Sequence, residues 1–493
     1  MPENYIISID QSTQGTKALL FDRKGSLLKR VDIKHCQKVD HRGWVSHDPA
    51  EIYGNTIKAV RNLVEEAGIS KDHVAGIGIS NQRETTAAWD RETGIPVTDA
   101  IVWQCSRAEG ICQRIEEKGY QEMIRCRTGI NLSPYFPAAK MAWILEQVKG
   151  AKEKAQQGRL CCGTIDSWLV YKLTGGKVFK TDYSNASRTQ LFNLYELKWD
   201  TEICGIFGID PSCLAEVCDS DSCFGETDAE GFFNKPVPIH CVLGDSHSAL
   251  FGQGCLEAGM AKATYGTGSS VMMNIGKKPV LSGHGLVTSL AWSMNGTVDY
   301  VLEGNINYTG AVVTWLKDDV KLFQSPSDTE DMCRMAWQDD GLFLVPAFTG
   351  LGAPYWNSRA KGALMGISRT TRREEIVRAG VECIAYQIND VVQAMEYDTE
   401  IKIRELRADG GPTRNGYLMQ FQADITDALV LAPETEELSG IGAAYAAGLA
   451  LEIYTKEVFG KIGRKTYEPS MELSKRREKQ EGWNKAVNAV LHM

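Results

Sequence analysis

Three glycine-bearing turns constrain this chain more than any other feature of its sequence. They read Asp10-Gln-Ser-Thr-Gln-Gly-Thr-Lys17, Tyr265-Gly-Thr-Gly-Ser-Ser270 and Asp409-Gly-Gly411. Each follows a short apolar segment, and together they run from the start of the chain into its last fifth. Turns dispersed in this way fit two lobes that close on a ligand. With 493 residues and usual domain lengths of ~100–200, two to four domains are expected. The boundary is placed near residue 251, giving segments 1–251 and 252–493.

Local signals support an α/β fold with a mixed sheet. Tyr5-Ile-Ile-Ser-Ile9 reads as a strand entering the first turn, and Ala18-Leu-Leu-Phe21 as its hairpin partner. A helix is expected from about 49. Asp48 suits the N-cap, Pro49 the first helical position, and Glu51 a capping-box-like pattern. Ile52, Val60, Leu63 and Val64 keep one apolar face, and Gly68 ends the helix. A strand over 74–80 follows.

Composition excludes several classes. Lys and Arg number 54 against 63 Asp and Glu, a net charge of −9, so no basic field exists to attract nucleic acid or anionic membrane. No apolar run reaches the ~20 residues a membrane span needs. The opening Met-Pro-Glu-Asn lacks the basic start and apolar core of a signal peptide. The 14 cysteines form no C-x-x-C pair, which argues against zinc, and a chain of this size needs no disulfide framework. Reduced thiols in a cytoplasm are expected.

Two familiar nucleotide motifs are absent. No G-x-x-x-x-G-K-[ST] occurs, which excludes a P-loop. In Gly252-Gln-Gly254-Cys-Leu-Glu-Ala-Gly259 the third glycine falls two residues late for a dinucleotide fingerprint, and a strand-like segment follows.

The three turns themselves suit phosphate. Asp10 at a strand end is placed to hold Mg²⁺ through water, because this ion keeps much of its hydration. Turn amides and the Thr13 hydroxyl can meet phosphate oxygens, and Lys17 adds a charge. Glycines at 266, 268, 410 and 411 let backbone amides approach an anion. A helix starting near Asn415 would add its N-terminus. Each turn has a plainer reading, as a hairpin or a loop that needs positive φ.

Asp245 follows a buried segment in Val-Leu-Gly244-Asp245-Ser246-His247. A carboxylate there can accept a hydroxyl proton during attack on phosphorus, or cap a helix over 246–252. Arg83 and Glu84 sit in Asn81-Gln-Arg-Glu-Thr-Thr86. They can grip a polyol only if a turn brings both into one cleft; otherwise they form a surface ion pair.

These segments, with Gly43-Trp-Val-Ser-His-Asp-Pro49, Ala100-Ile-Val-Trp-Gln-Cys105, Tyr135-Phe-Pro-Ala-Ala-Lys-Met-Ala-Trp-Ile-Leu-Glu-Gln147, Thr181-Asp-Tyr-Ser-Asn-Ala-Ser-Arg188 and Val345-Pro-Ala-Phe-Thr-Gly-Leu-Gly-Ala-Pro-Tyr-Trp356, span almost the whole chain. On them the sequence resembles the FGGY carbohydrate kinases, and within these the glycerol kinases. The resemblance implies two actin-like (ribonuclease-H-like) domains with ATP in the cleft between them. It implies Asp245 as general base, Arg83, Glu84 and Tyr135 bonded to the polyol, and Trp103 packed on its carbons. It places Thr13 and Lys17 on ATP phosphates, Asp10 on Mg²⁺, and Gly266, Thr267, Gly310, Thr314, Gly411 and Asn415 around the nucleotide. A homo-oligomer, dimer or tetramer, is implied as well.

The chain departs from the glycerol kinase pattern at five places. Lys17 stands where Arg is usual, which keeps the charge but loses the guanidinium fork. Gly244-Asp245-Ser246-His247 replaces Gly-Asp-Gln-Gln. Ser270 replaces a Phe near the substrate carbons, and Thr314 replaces a Gln on the ATP side. Ser246 and Ser270 together suggest room for a longer acceptor, such as a tetritol, pentitol or ketopentose. His247 either reaches into that space or turns away and caps a helix. The expected activity is transfer of the γ-phosphoryl group of ATP to a terminal hydroxyl of glycerol or a close polyol. The rival from another class is an actin-like ATPase with no sugar substrate.

Overall fold

The structure, a computed structural model, describes residues 4–337 and 341–493; the first three residues of the opening segment lie outside it. The first lobe is built on a six-stranded sheet. Its strands run in the order Cys223–Thr227, Val237–Gly244, Val74–Asn81, Tyr5–Gln11, Gly15–Phe21 and Leu27–Lys34. Tyr5–Gln11 and Gly15–Phe21 form the expected hairpin, pairing Asp10 with Lys17. Tyr5–Gln11, Val74–Asn81 and Val237–Gly244 are mutually parallel. Their C-terminal ends therefore release the 12–15 turn, Arg83 and Asp245 at one edge of the sheet.

The second lobe repeats this arrangement within a seven-stranded sheet. Ala261–Tyr265 pairs antiparallel with Ser269–Gly276 and parallel with Glu405–Asp409, so the 266–268 and 410–411 turns also emerge together. A third sheet of five short strands includes Ala100–Ile101, Thr86–Asp90 and Leu160–Thr164. It carries the segment that ends in Trp103.

The helix near 49 forms over Pro49–Ala67. Asp48 accepts from the Ala50 amide, and Gly68 closes the helix at φ +64°. Ile52, Val60, Leu63 and Val64 are buried as the periodicity requires. Glu51 does not close a capping box; its carboxylate accepts from the Cys36 amide at 3.0 Å, because the neighbouring strand end offers an unpaired donor.

The helix Leu438–Ala450 lies against the first lobe's sheet and the helix Asp245–Gly252. Ile441, Ala444 and Tyr445 join Ile6, Leu19 and Phe21 in one buried cluster. The approach is close enough to require glycine: a Cβ on Gly442 would sit 1.8 Å from the Ser248 carbonyl oxygen, and one on Gly78 2.3 Å from that of Ala443. All 14 cysteines are free thiols. Among the described residues no helix is long and apolar enough to cross a membrane.

Candidate active site

Glu84 adopts φ +59°, a left-handed conformation that non-glycine residues rarely take. That turn brings Arg83 and Glu84 into one cleft instead of onto opposite strand faces. Both are buried, so the surface ion pair is excluded. Arg83 donates through Nη1 and Nη2 to the two oxygens of Glu303, each at 3.0 Å. Its Nε lies 3.1 Å from Asp245 Oδ1. Arg188 donates from Nε to Glu84 Oε1 at 2.6 Å, and its Nη1 stands 3.0 Å from Glu303 Oε2. Two guanidinium groups thus face three carboxylates.

Glu303 belongs to the strand Thr297–Ile306 of the second lobe, so this network crosses the cleft. Burial alone would raise its carboxyl, but Arg83 and Arg188 win and hold it well below its ordinary range. Arg83 is pushed up by Glu303, Glu84 and Asp245 against the opposing pull of burial. Sequence reading missed Glu303 and Arg188. The signal for Glu303 was an acid directly after the apolar run Tyr300-Val-Leu302.

Asp245 is the exposed member of the network, its side chain 36% accessible against 0–7% for the two arginines, Glu84 and Glu303. It opens the helix Asp245–Gly252 behind the N-cap Gly244, and its Oδ1 accepts from the Ser246 amide at 2.6 Å. Ser246 and Ser270 are half-buried, and Ser270 donates to Glu303 Oε1 at 3.0 Å. His247 fits neither expected role. It is fully buried behind the site with Nε2 3.3 Å from Ser289 Oγ, where helix meets sheet, and it caps nothing. Burial and the nearby Arg83 hold its ring well below the ordinary value, so it is neutral.

Trp103 and Tyr135 pack against each other at a 60° tilt, ring centroids 5.5 Å apart. The Trp103 indole donates to Thr13 Oγ1 at 3.0 Å, and Thr13 in turn donates to Gln82 Oε1 at 3.4 Å. The aromatic wall is therefore tied to the first turn. On the strand after that turn the Lys17 ammonium is 2.9 Å from Glu437 Oε2 and 3.8 Å from Asp10 Oδ2. The Asp10 carboxyl is raised to about 6 by burial, with Lys17 opposing and Asp245 and Glu437 adding to the rise. A carboxylate crowded by two others is a suitable partner for a cation. Among the described residues no three or more His, Cys, Asp or Glu side chains converge enough to hold a metal ion by themselves. One carboxylate plus substrate phosphates is the usual donor set for Mg²⁺, so Asp10 fits it.

Across the cleft a cavity of about 620 Å³ is lined by Gly266, Thr267, Gly310, Thr314, Gly411 and Asn415, bringing together all six residues expected around a nucleotide. Gly410, at φ +100°, touches the backbone of Tyr265; a Cβ there would be 2.0 Å from its carbonyl oxygen. The second and third turns can meet only because the residue is glycine. Asn415 caps the helix Gly416–Thr426 by accepting from the Leu418 amide, and its Nδ2 donates to Thr329 Oγ1 at 3.0 Å. Ser325, Ser327, Thr329 and Glu330 also line the cavity. Sequence reading missed these four, which belong to no glycine-rich turn.

Comparison with known proteins agrees with this geometry. The N-terminal domain model of the FGGY family of carbohydrate kinases matches residues 5–252, and its C-terminal domain model matches residues 261–451. A glycerol kinase of Bacillus subtilis is 46% identical over 492 residues, and glycerol kinase 1 of Thermotoga maritima is 47% identical over 490, each across 99% of both chains. Among solved structures, Plasmodium falciparum glycerol kinase with ADP superposes with a TM-score of 0.94 at 36% identity, covering 99% of this chain and 98% of that one. A xylulose kinase of Lactobacillus acidophilus shares the fold, with a TM-score of 0.89 at 22% identity and the same coverage. Matches of this strength over the whole chain make it an ATP-dependent kinase and a member of the FGGY family of carbohydrate kinases.

Proposed function

We propose that this kinase transfers the γ-phosphoryl group of MgATP to a terminal hydroxyl of glycerol or a closely related small polyol. One observation carries the reading: Asp245 is the accessible carboxylate of the network, held at 3.1 Å by Arg83. It stands near the first turn as well, since its charge is felt at Asp10. In this reading Arg83, Glu84 and Tyr135 hydrogen-bond the acceptor, and Trp103 packs on its carbons. Asp245 takes the proton from the attacking hydroxyl. Thr13, Lys17 and the turn amides meet the phosphates, while Thr267, Gly310, Thr314, Gly411 and Asn415 hold the nucleotide. Asp10 would hold Mg²⁺, and the ion would supply charge neutralisation on the phosphoryl oxygens. Closing the lobes excludes water and limits idle hydrolysis.

A coupled ADP-release assay over glycerol, dihydroxyacetone, tetritols, pentitols and ketopentoses, compared by kcat/KM, tests the reading. Glycerol or a four-carbon polyol should raise ADP release at least ~100-fold over the acceptor-free rate, in line with what positioned groups and excluded water contribute. ATP hydrolysis that no acceptor stimulates would favour the actin-like ATPase instead.

The small side chains at Ser246 and Ser270 favour a second reading in which a longer polyol or ketose is the better acceptor. Ser270→Phe fills that space. It should shift the kcat/KM ratio of glycerol to pentitol about tenfold toward glycerol, the scale of discrimination a hydrophobic wall provides. Unchanged turnover of pentitols in the variant would remove the pocket-size argument.

A further inference from the structure

Lys140 lies in the helix Pro137–Gln147, on a stretch where Ala138, Ala139, Met141, Ala142 and Ile144 are all buried. Its own side chain is 0% exposed. Among the described residues its ammonium is in hydrogen-bond contact with no carboxylate. It donates instead to three backbone carbonyls, those of Glu84 at 3.2 Å, Trp103 at 3.2 Å, and Tyr135. An ammonium has three N–H groups, so every donor is used.

The identity of the three acceptors matters. They come from separate segments: the turn after Val74–Asn81, the segment after Ala100–Ile101, and the loop leading into the helix itself. Each is a residue whose side chain is assigned above to the acceptor. One of them, Glu84, is the residue held at φ +59°. An unneutralised buried charge is costly, and burial pulls the Lys140 ammonium down to about 7, with the Glu84 carboxylate opposing. A methionine would fill the same apolar helix face without that cost. The lysine supplies a donor to each of those three carbonyls and so ties their segments together.

We propose that Lys140 is a positioning residue: its ammonium fixes the mutual spacing of Glu84, Trp103 and Tyr135, and so sets acceptor affinity and orientation without touching acceptor or ATP. The proposal rests on the acceptor-site reading above. A reacting group misplaced by about 1 Å costs on the order of 10²-fold in rate. Three segments released from one tie would each move by something of that order.

The test uses full-length Lys140→Met, Lys140→Arg and Trp103→Ala, with kcat and KM for glycerol, KM for ATP, and ADP affinity measured for each. Lys140→Met should lower kcat/KM for glycerol about 100-fold while KM for ATP and ADP affinity stay within about twofold. Lys140→Arg, whose planar fork cannot meet three converging carbonyls, should recover only part of the loss. A glycerol kcat/KM within threefold of wild type in Lys140→Met would overturn the proposal. So would parallel losses for acceptor and nucleotide, which indicate general loosening of the fold. If Lys140→Met does not fold, the same split is read on Lys140→Arg. Trp103→Ala separates the two levels of the argument. An unchanged glycerol KM there removes the acceptor-site reading itself, whereas a raised KM beside a normal Lys140→Met removes only the role of the lysine.

Discussion

Asp245→Asn should lower kcat by about 10³-fold, with KM for ATP and affinity for ADP within about twofold of wild type. The substitution keeps the shape of the side chain and keeps an oxygen to face Arg83 Nε, now 3.1 Å away. What it removes is the capacity to take a proton. The network tolerates the change electrostatically. Arg83 and Arg188 each keep a buried carboxylate partner in Glu84 or Glu303 when the Asp245 charge is lost. Asp245 is also the most accessible member, so its neutralisation relieves little desolvation and costs little stability. Activity and fold should therefore separate. The experiment is steady-state kinetics with glycerol beside a thermal melt. A kcat within tenfold of wild type would remove Asp245 from the role of base.

How much of this was legible beforehand depends on the range of the interaction involved. The hairpin 5–21 and the helix from Pro49 were readable because strand alternation, an N-cap and a closing glycine act over a few residues. Asp245, Arg83, Glu84 and the glycine turns could be singled out as candidates because they lie in compact segments at strand ends. The roles of Glu303, Arg188 and Lys140 were not legible, even though the last two lie in segments that carry the family resemblance, because their partners are distant in the chain: Arg83 and Glu303 lie 220 residues apart, and Lys140 and Glu84 lie 56 apart. All three appear in the sequence as single charges within buried stretches. Such a charge states that a partner exists without saying where. His247 shows the same limit from the other side. Its place in the sequence suggested pocket or cap, yet it packs between helix and sheet, an outcome decided by a strand that begins 40 residues later.

Glu303→Gln should destabilise the protein by about 3–5 kcal/mol, the typical cost of removing one partner from a buried ion pair. Glu303 is fully buried and accepts from both terminal nitrogens of Arg83 and from Ser270, with Arg188 Nη1 at 3.0 Å. A glutamine keeps one acceptor oxygen and turns an NH₂ toward guanidinium donors, so a donor faces a donor where a bidentate pair stood. Glu303 has an ordinary pKa of 4.5 and is held well below it in the folded state. Its contribution is therefore complete above about 4.5 and is lost as pH falls toward the folded value. The urea midpoint of Glu303→Gln should lie well below wild type at pH 7, and the gap should narrow below pH 4.5. Equal midpoints at pH 7 would mean that the network adds nothing to stability. Kinetics should move with stability here, unlike in Asp245→Asn. Glu303 reaches Arg83 from the opposite lobe, so its loss frees the guanidinium beside Asp245 and loosens the cleft where the two lobes meet. Glu303→Gln should thus lose kcat/KM for glycerol as well as stability, whereas Asp245→Asn loses kcat alone.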